Sequence, residues 1–321
     1  SSTGLSNNLI IIVEAISGGN IIYLLGLTAV LCIILGMGLP TTANYLVVAA
    51  LMANVVVEVG NASGYIFPLI AIHLFVFYYG LMADVTPPVG LASYAASAIS
   101  RADPIKTGVQ AFWYSLRTGI LPIVFIFNNE LLLIGIESWI HAIIVMITSL
   151  SAILIFTSAS QGWFIKKLKW YEIIIFLIIS MSLFRPDYIM NQFYPKYEYQ
   201  NLSTENLNKL NIDPKKNLQI KVTRETAYGP RYKLFEFKKN SIKDNYNLNE
   251  LGIKTTSQKD LTIIDNIQWN SPAKKIGLQS GDIINEIKIE NLKRPKKEIV
   301  YPISIVIFLI LSFLHYLRKY T

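Results

Sequence analysis

The chain has 321 residues, of which 52% are hydrophobic and 16% charged, a balance that excludes an ordinary soluble domain and points to a polytopic α-helical membrane protein. A formal charge of +8 raises the question of nucleic acid, yet the stretch from Arg185 to Glu298 holds 21 Lys and Arg against 14 Asp and Glu and so carries +7 of it. Those basic residues are dispersed among Asn, Tyr and acids, which argues for a solvated surface and against a nucleic-acid partner.

The chain opens on Ser-Ser-Thr-Gly-Leu, without the basic flank and cleavage site of a signal peptide, and the expectation is a piece of a longer protein. Leu5–Ser17 is short and amphipathic, with Asn7, Asn8 and Glu14, and reads as an interfacial or re-entrant segment. A Gly18-Gly19-Asn20 turn then starts an apolar run. The runs Asn20–Leu35, Tyr65–Met82, Leu131–Ser158 and Tyr301–Leu317 approach or exceed the roughly 17–25 residues that cross a bilayer. Cys32, the sole cysteine, lies inside the first of them and reports packing, not redox compartment.

The first run stops at Gly36-Met37-Gly38-Leu39-Pro40, and Thr41–Glu58 resumes as a second helix. The same pattern recurs where the run ending near Asp84 meets Val85-Thr86-Pro87-Pro88-Val89-Gly90 before Leu91–Ser100 continues. Unwound backbone at membrane depth loses several kcal/mol for each unsatisfied group, so it persists where protein, water or an ion satisfies it. One Pro or Gly only kinks a packed helix. Two interruptions close in sequence, each beside neutral oxygens, point instead to a site in which freed carbonyls take a cation and helix amino-terminal ends take an anion. Thr41, Thr42 and Asn44 supply those oxygens at the first break and Thr86 at the second. Such oxygens suit a hard cation.

Ionisable residues within spans are functional candidates by default: Glu58, Asp84, His73 and Arg117. His73 also reads as a packing residue, and Arg117 as one that snorkels to the interface. Basic short loops at Arg101–Lys106 and Lys166–Lys169, against the Asn128-Asn129-Glu130 turn, put the first two in the cytoplasm and the polar segment after Trp170–Phe184 outside. Lys293-Arg294-Pro295-Lys296-Lys297 lies on the unfavoured side of this topology. The polar segment reads as β-rich: Leu218–Glu225 and Tyr232–Phe237 form a hairpin around Ala227-Tyr228-Gly229-Pro230, and a second strand pair flanks Ser271–Asp282.

The string from Leu35 through Gly36, Gly38, Pro40, Thr41, Thr42 and Asn44 to Tyr45, followed by Asp84-Val85-Thr86-Pro87-Pro88-Val89-Gly90, resembles the large membrane subunit of tripartite ATP-independent periplasmic (TRAP) transporters, nearest the fused permeases of the TAXI type. The likeness covers about the first 180 residues and only the second of that family's two inverted repeats. It implies the second repeat of an elevator-type symporter in a bacterial inner membrane, driven by sodium as coupling ion with no other cofactor, importing small organic acids. It also implies three partners: a periplasmic substrate-binding protein, a small membrane subunit or its fused equivalent, and the first repeat of the permease. Sodium ligands by position are Gly36, Gly38, Pro40, Thr41, Thr42, Thr86 and Gly90; substrate-binding residues are Asn44, Thr86, Pro87 and Pro88.

Ser271-Pro-Ala-Lys-Lys-Ile-Gly-Leu-Gln-Ser-Gly-Asp-Ile-Ile-Asn-Glu286 resembles the PDZ pattern, with Gly277 capping a short helix and Gly281 allowing a turn. Leu251-Gly252-Ile253 is the candidate loop for holding a peptide carboxylate. No second helix fits after Ile287, so a structural or docking role is preferred. The organisation is then 1–130 transport region, 131–184 further spans, 185–298 soluble PDZ-like domain on the periplasmic side, and 299–321 a final anchor. Two rivals are a membrane-anchored PDZ scaffold and an intramembrane protease. The first gives no reason for unwound helices. The second lacks His-Glu-x-x-His, and Ser63 falls in an Asn61-Ala62-Ser63-Gly64 turn, so no enzyme is expected.

Overall fold

The computed structural model describes residues 16, 20–136, 138–200, 211–226, 229–239, 245–258 and 261–318. The interfacial piece expected at Leu5–Ser17, apart from Ile16, and Gly18 and Gly19 lie outside them. The described residues fall into two compact units: one from Leu25–Ala53, Phe67–Phe193 and Lys296–Thr321, the other from Ser1–Leu24, Asn54–Ile66 and Tyr194–Pro295.

The helices are α1 (Ile21–Gly36), α2 (Thr41–Ala62), α3 (Leu69–Met82), α4 (Leu91–Ser100), α5 (Pro104–Phe127), α6 (Trp139–Gln161), α7 (Trp170–Phe184), α8 (Pro186–Phe193), the short α9 (Pro272–Lys275) and α10 (Val300–Leu317). Among the described residues four helical stretches are long and apolar enough to cross a membrane: Thr41–Ala62, Pro104–Phe127, Trp139–Gln161 and Lys297–Leu317. The pair α7 and α8 is bent by 90° and makes a fifth apolar stretch, whereas α1 and the segment Leu69–Val85 are shorter.

Two predicted runs start later than their hydropathy suggests. The run from Leu131 is not one helix: a 3-10 turn at Asn129–Leu132 passes through Leu133 and Gly135, both at positive φ, before Ser138 caps α6 by accepting from His141 N. Likewise Pro68 at the amino-terminal cap delays α3 to Leu69, although apolar residues begin at Tyr65. In α5, Asp103 accepts from Lys106 N at 2.8 Å, and Pro104 takes the first position, where its missing N–H is no loss.

Buried Val124, Ala152, Ile155, Ala159, Phe176, Ile179, Leu183 and Tyr301 join α5, α6, α7 and α10 in one core. Buried serines cross-link it: Ser180 Oγ donates to Ala152 O, and Ser182 and Ser304 share a hydrogen bond of 2.7 Å. Helix α10 runs antiparallel to α7, and each end of the pair is tied by charge. Lys297 Nζ lies 2.5 Å from Glu130 Oε1 and 3.6 Å from Asp187 Oδ2, so part of the basic run before α10 is neutralised where it stands. At the other end Arg318 donates to both oxygens of Glu172, His315 Nδ1 lies 3.1 Å from Glu172 Oε1, and Lys166 Nζ donates to Tyr316 O and Arg318 O. A two-strand ladder of β1 (Trp163–Phe164) and β2 (Lys166–Lys167) presents Phe164 O to His315 Nε2 at 2.6 Å.

Glycine sets how closely the first three helices approach. A Cβ on Gly36 would lie 2.6 Å from Ala83 Cβ and 2.6 Å from Asn44 Nδ2, while one on Gly80 would lie 3.0 Å from the same Nδ2. The end of α1, the start of α2 and the end of α3 therefore meet around one buried carboxamide.

The second unit holds an antiparallel sheet of β3 (Tyr197–Gln200), β4 (Leu218–Thr226), β5 (Gly229–Phe237), β6 (Ile253–Gln258), β7 (Leu261–Ile267) and β8 (Ile283–Glu290), ordered β5-β4-β8-β7-β6 with β3 also on β8. Both expected strand pairs are present, although Ala227 and Tyr228 of the first turn lie outside the described residues. One face buries Leu218, Ile220, Val222, Ile284, Ile287 and Ile289 with Leu251 and Leu278. Gly277 and Gly281 stand at φ +97° and +89°, as the cap and turn roles require. Asp282 anchors the β7–β8 connection by accepting from Gln279 N and a forked pair from Arg224. The expected carboxylate loop is a correction: Leu251 N, Gly252 N and Ile253 N already donate to Asn247 O, Asn249 O and Leu248 O. Closing their own turn leaves them no donor for a peptide end.

Two outcomes follow from this packing. Gly36→Ala forces atoms apart and should lower stability by about 1–3 kcal/mol, as overpacking does, whereas Gly38→Ala, with open space at its Cβ, should leave the melting temperature of the detergent-purified protein within error. On the sheet, burial alone would raise Glu286, but hydrogen bonds and charge from Lys288 and Lys221 hold it below the usual carboxylate range. A lowered folded-state pKa contributes stability above the unfolded value of about 4.3 and loses it as pH falls through the folded value. Glu286→Gln should therefore lie below the parent in stability at pH 7, and the gap should close in thermal melts taken at decreasing pH below about 4.3.

Candidate functional site

The first break spans residues 37–40. Met37 N and Gly38 N still donate back into α1, to Ile33 O and Leu35 O, and the first bond of α2 runs from Asn44 N to Pro40 O at 2.9 Å. The amides of Thr41, Thr42 and Ala43 thus precede any intrahelical acceptor and form the positive end of α2. Gly38, Pro40 and Thr42 are exposed, Thr41 is half-buried, and Gly36 and Asn44 are buried.

Asn44 is 1% exposed. Its Nδ2 donates to Cys32 O at 2.9 Å, taking up a carbonyl near the end of α1. Its Oδ1 is buried and has no hydrogen-bond partner. A buried amide oxygen of this kind can accept from a donor group or coordinate a cation.

The second break follows a 3-10 turn at Ala83–Val85 that carries Asp84. Thr86 leaves helical geometry, its Oγ1 donating to Met82 O at 2.6 Å, and Gly90 N returns to Thr86 O at 3.0 Å across the cis Pro87-Pro88 bond. Gly90, at φ +20°, caps α4, and Ser93 Oγ donates to Val85 O at 3.3 Å. Pro87 packs on α5, where a Cβ on Gly108 would lie 3.0 Å from its Cγ. The amino-terminal end of α4 opens at this turn, as that of α2 opens at the first break.

The structure brings the two breaks together through Gly36, Ala83, Gly80 and Asn44. Thr86, Pro87, Pro88 and Gly90 share one turn, and Gly36, Gly38, Pro40, Thr41 and Thr42 lie in or beside the other. Of the ionisable candidates, His73 Nδ1 sits 3.0 Å from Tyr45 OH, and Glu58 pairs with Arg231 at 2.9 Å. Arg117 lies within α5, and its side chain is outside the described residues. Ser63 stands in a hydrogen-bonded turn, with Ser63 N on Val59 O and Tyr65 N on Gly60 O.

Sequence reading missed Gly80, Ala83 and the orphan oxygen of Asn44. Small residues one helical turn apart from Gly80 to Ala83 were the available signal for close approach of α3 to its neighbours. Among the described residues no group of three or more His, Cys, Asp and Glu is placed to hold a metal ion. The polar groups at the two breaks are carbonyl, amide and hydroxyl oxygens, the ligand type that hard cations take.

Residues 1–140 match the family described as the tripartite ATP-independent periplasmic transporter, DctM component, and residues 142–320 match the family described as a domain of unknown function (DUF3394). No curated protein and no solved structure matches the chain. The DctM family is one of transporters and not of enzymes, in agreement with the expectation from the residues. The chain belongs to the DUF3394 family, whose model matches its larger part, and its first 140 residues are similar to the DctM component of the tripartite ATP-independent periplasmic transporters.

Proposed function

We propose that this chain carries the second-repeat region of a TAXI-type TRAP permease, holding one half of a sodium-coupled site for a small organic acid. The observation that carries the reading is the meeting of two broken helices around Asn44, whose buried Oδ1 lacks a donor. Carbonyl and hydroxyl oxygens at Gly36, Gly38, Pro40, Thr41, Thr42, Thr86 and Gly90 are the sodium ligands. Asn44, with Thr86, Pro87 and Pro88, faces substrate. Two helix amino-terminal ends, at Thr41 and Leu91, supply partial positive charge for a carboxylate. Sodium beside that carboxylate lowers the cost of bringing both charges into a low-dielectric site, which is the physical basis of coupling.

The partners are a soluble substrate-binding protein, a small membrane subunit and the first repeat of the permease; no ATP is used. The sheet unit stands on the periplasmic side of the bacterial inner membrane. Support for that sidedness comes from the chain itself, in the basic short loops Arg101–Lys106 and Lys166–Lys169, which favour the cytoplasmic face. A PDZ-like likeness is retained for the sheet with its short helix α9, without a peptide site.

The test is uptake of a radiolabelled organic acid by proteoliposomes containing the full-length permease, its small subunit and its binding protein. Uptake should require an inward sodium gradient, and Thr86→Ala and Gly38→Leu should each lower the initial rate at least about tenfold, the loss expected when a coordinating or positioning contact goes. Uptake without sodium, or unchanged rates in both variants, overturns the assignment.

A further inference from the structure

Between α6 and α7 the chain makes the short ladder of β1 and β2, and this turn packs on the end of α10, all within one compact unit. Phe164 faces inward: its ring centroid lies 5.5 Å from that of Phe176 and 5.6 Å from that of Phe308, and its carbonyl oxygen meets His315 Nε2. Side chains alternate along a strand, so the cross-strand pair Trp163 and Lys167 stands outward.

Charge is unbalanced here. The segment from Gln161 to Ile173 and the chain from Leu311 onward carry Lys166, Lys167, Lys169, Arg318 and Lys319 against one acid, Glu172. That acid is buried and fully engaged, accepting from Arg318 Nη1 on both oxygens at 2.7 Å and from Lys169 N at 2.7 Å, with His315 Nδ1 at 3.1 Å. Lys166 is taken up as well, by the carbonyls of Tyr316 and Arg318 at the negative end of α10. Lys167 and Lys169 are exposed, and among the described residues no acceptor meets Lys167 Nζ. Beside these cations large apolar side chains stand in the open: Trp163, Trp170 and Tyr316 are 60%, 74% and 62% exposed. Ile165 at the tip is held at φ +59°, a left-handed conformation that strains a β-branched residue and that glycine adopts freely. The turn thus keeps an apolar side chain where backbone geometry alone favours none.

The stretches Trp139–Gln161 and Lys297–Leu317, both long and apolar enough to span, end at this turn, which sets it at the level where acyl chain gives way to headgroup. Trp and Tyr collect at that level, and clustered Lys and Arg there attract anionic lipid. We propose that Lys167 and Lys169 hold the phosphate of an anionic phospholipid, with Trp163, Ile165, Trp170 and Tyr316 against its glycerol and upper acyl chains. A phospholipid offers phosphate and hydrocarbon in one molecule, matching cations interleaved with exposed apolar side chains, whereas an acidic protein loop answers the cations alone. The assignment rests on the length and composition of the spans, holds for either membrane face and stands apart from the transport reading.

The test places the full-length permease in phosphatidylcholine vesicles and quenches its tryptophan fluorescence with phosphatidylglycerol or phosphatidylcholine bearing brominated acyl chains. Brominated phosphatidylglycerol should quench more strongly at equal mole fraction, and the excess should vanish in Trp163→Phe/Trp170→Phe. Lys167→Gln and Lys169→Gln should each lower the preference for phosphatidylglycerol about fivefold, the weight of one cation near an anionic headgroup. Lys106→Gln, in the other basic loop, should leave it unchanged. All three lysines are exposed, so the variants keep the parent's fold. Equal quenching by the two lipids, a preference untouched by both Lys167→Gln and Lys169→Gln, or reversal by soluble glycerol phosphate each overturns the proposal. So does loss of the excess quenching when partner proteins bind, which assigns the surface to protein instead.

Discussion

Backbone polarity inside a membrane governs this structure. A helix that stops inside a membrane protein releases carbonyls and amides that need partners, and each break here supplies some of its own. Thr86 Oγ1 takes Met82 O, Ser93 Oγ takes Val85 O, Gly90 N takes Thr86 O, and Asn44 Nδ2 takes Cys32 O. Side chains that read as site residues are therefore also the ones that make the unwinding tolerable. Asn44 exceeds that requirement, since one of its two polar atoms suffices for Cys32 and the other is left buried without a partner. Structural repair alone does not account for that second atom.

Small residues make the arrangement possible at the same place. Gly36 and Gly80 flank the carboxamide so closely that a methyl on Gly36 would overlap Asn44 and Ala83. Close approach brings dispersion contacts that lipid cannot replace and excludes lipid from the polar groups, which ties packing to the electrostatics of the breaks. Elsewhere in the helical unit the charged ties are at the helix ends, where Lys297 meets Glu130 and Arg318 meets Glu172.

Legibility of the sequence followed the range of the interactions. Gly36–Pro40 and Thr86–Gly90 could be read directly, because Pro and Gly act on their own backbone and leave the same mark in any context. The hairpin of β4 and β5 and the turns at Gly277 and Gly281 were readable for the same reason. The late start of α6 was not read from hydropathy, since Leu131–Leu133 are as apolar as the helix that follows; the marks were Gly135 and the Ser138 cap. Contacts between distant residues leave no local mark at all. Glu58 and Arg231 are 173 positions apart, and Asn44 and Gly36 belong to helices whose meeting depends on a third. The Leu251–Ile253 loop misled because its composition suits an anion-binding turn, whereas its amides are consumed within the turn itself.

The two family matches meet between residues 140 and 142, inside the first turn of α6, where no element ends. If the chain were two independent bodies joined there, ion pairs across that point would be incidental. Instead Glu130, before it, holds Lys297 at the start of the last span, and Glu58, before it, holds Arg231 on the sheet. The apolar core around Val124 and Tyr301 crosses the same point. A charge kept half-buried requires its partner, so each of these pairs makes one family's residues depend on the other's. The boundary is thus one of sequence description, and the physical units of the chain are drawn across it.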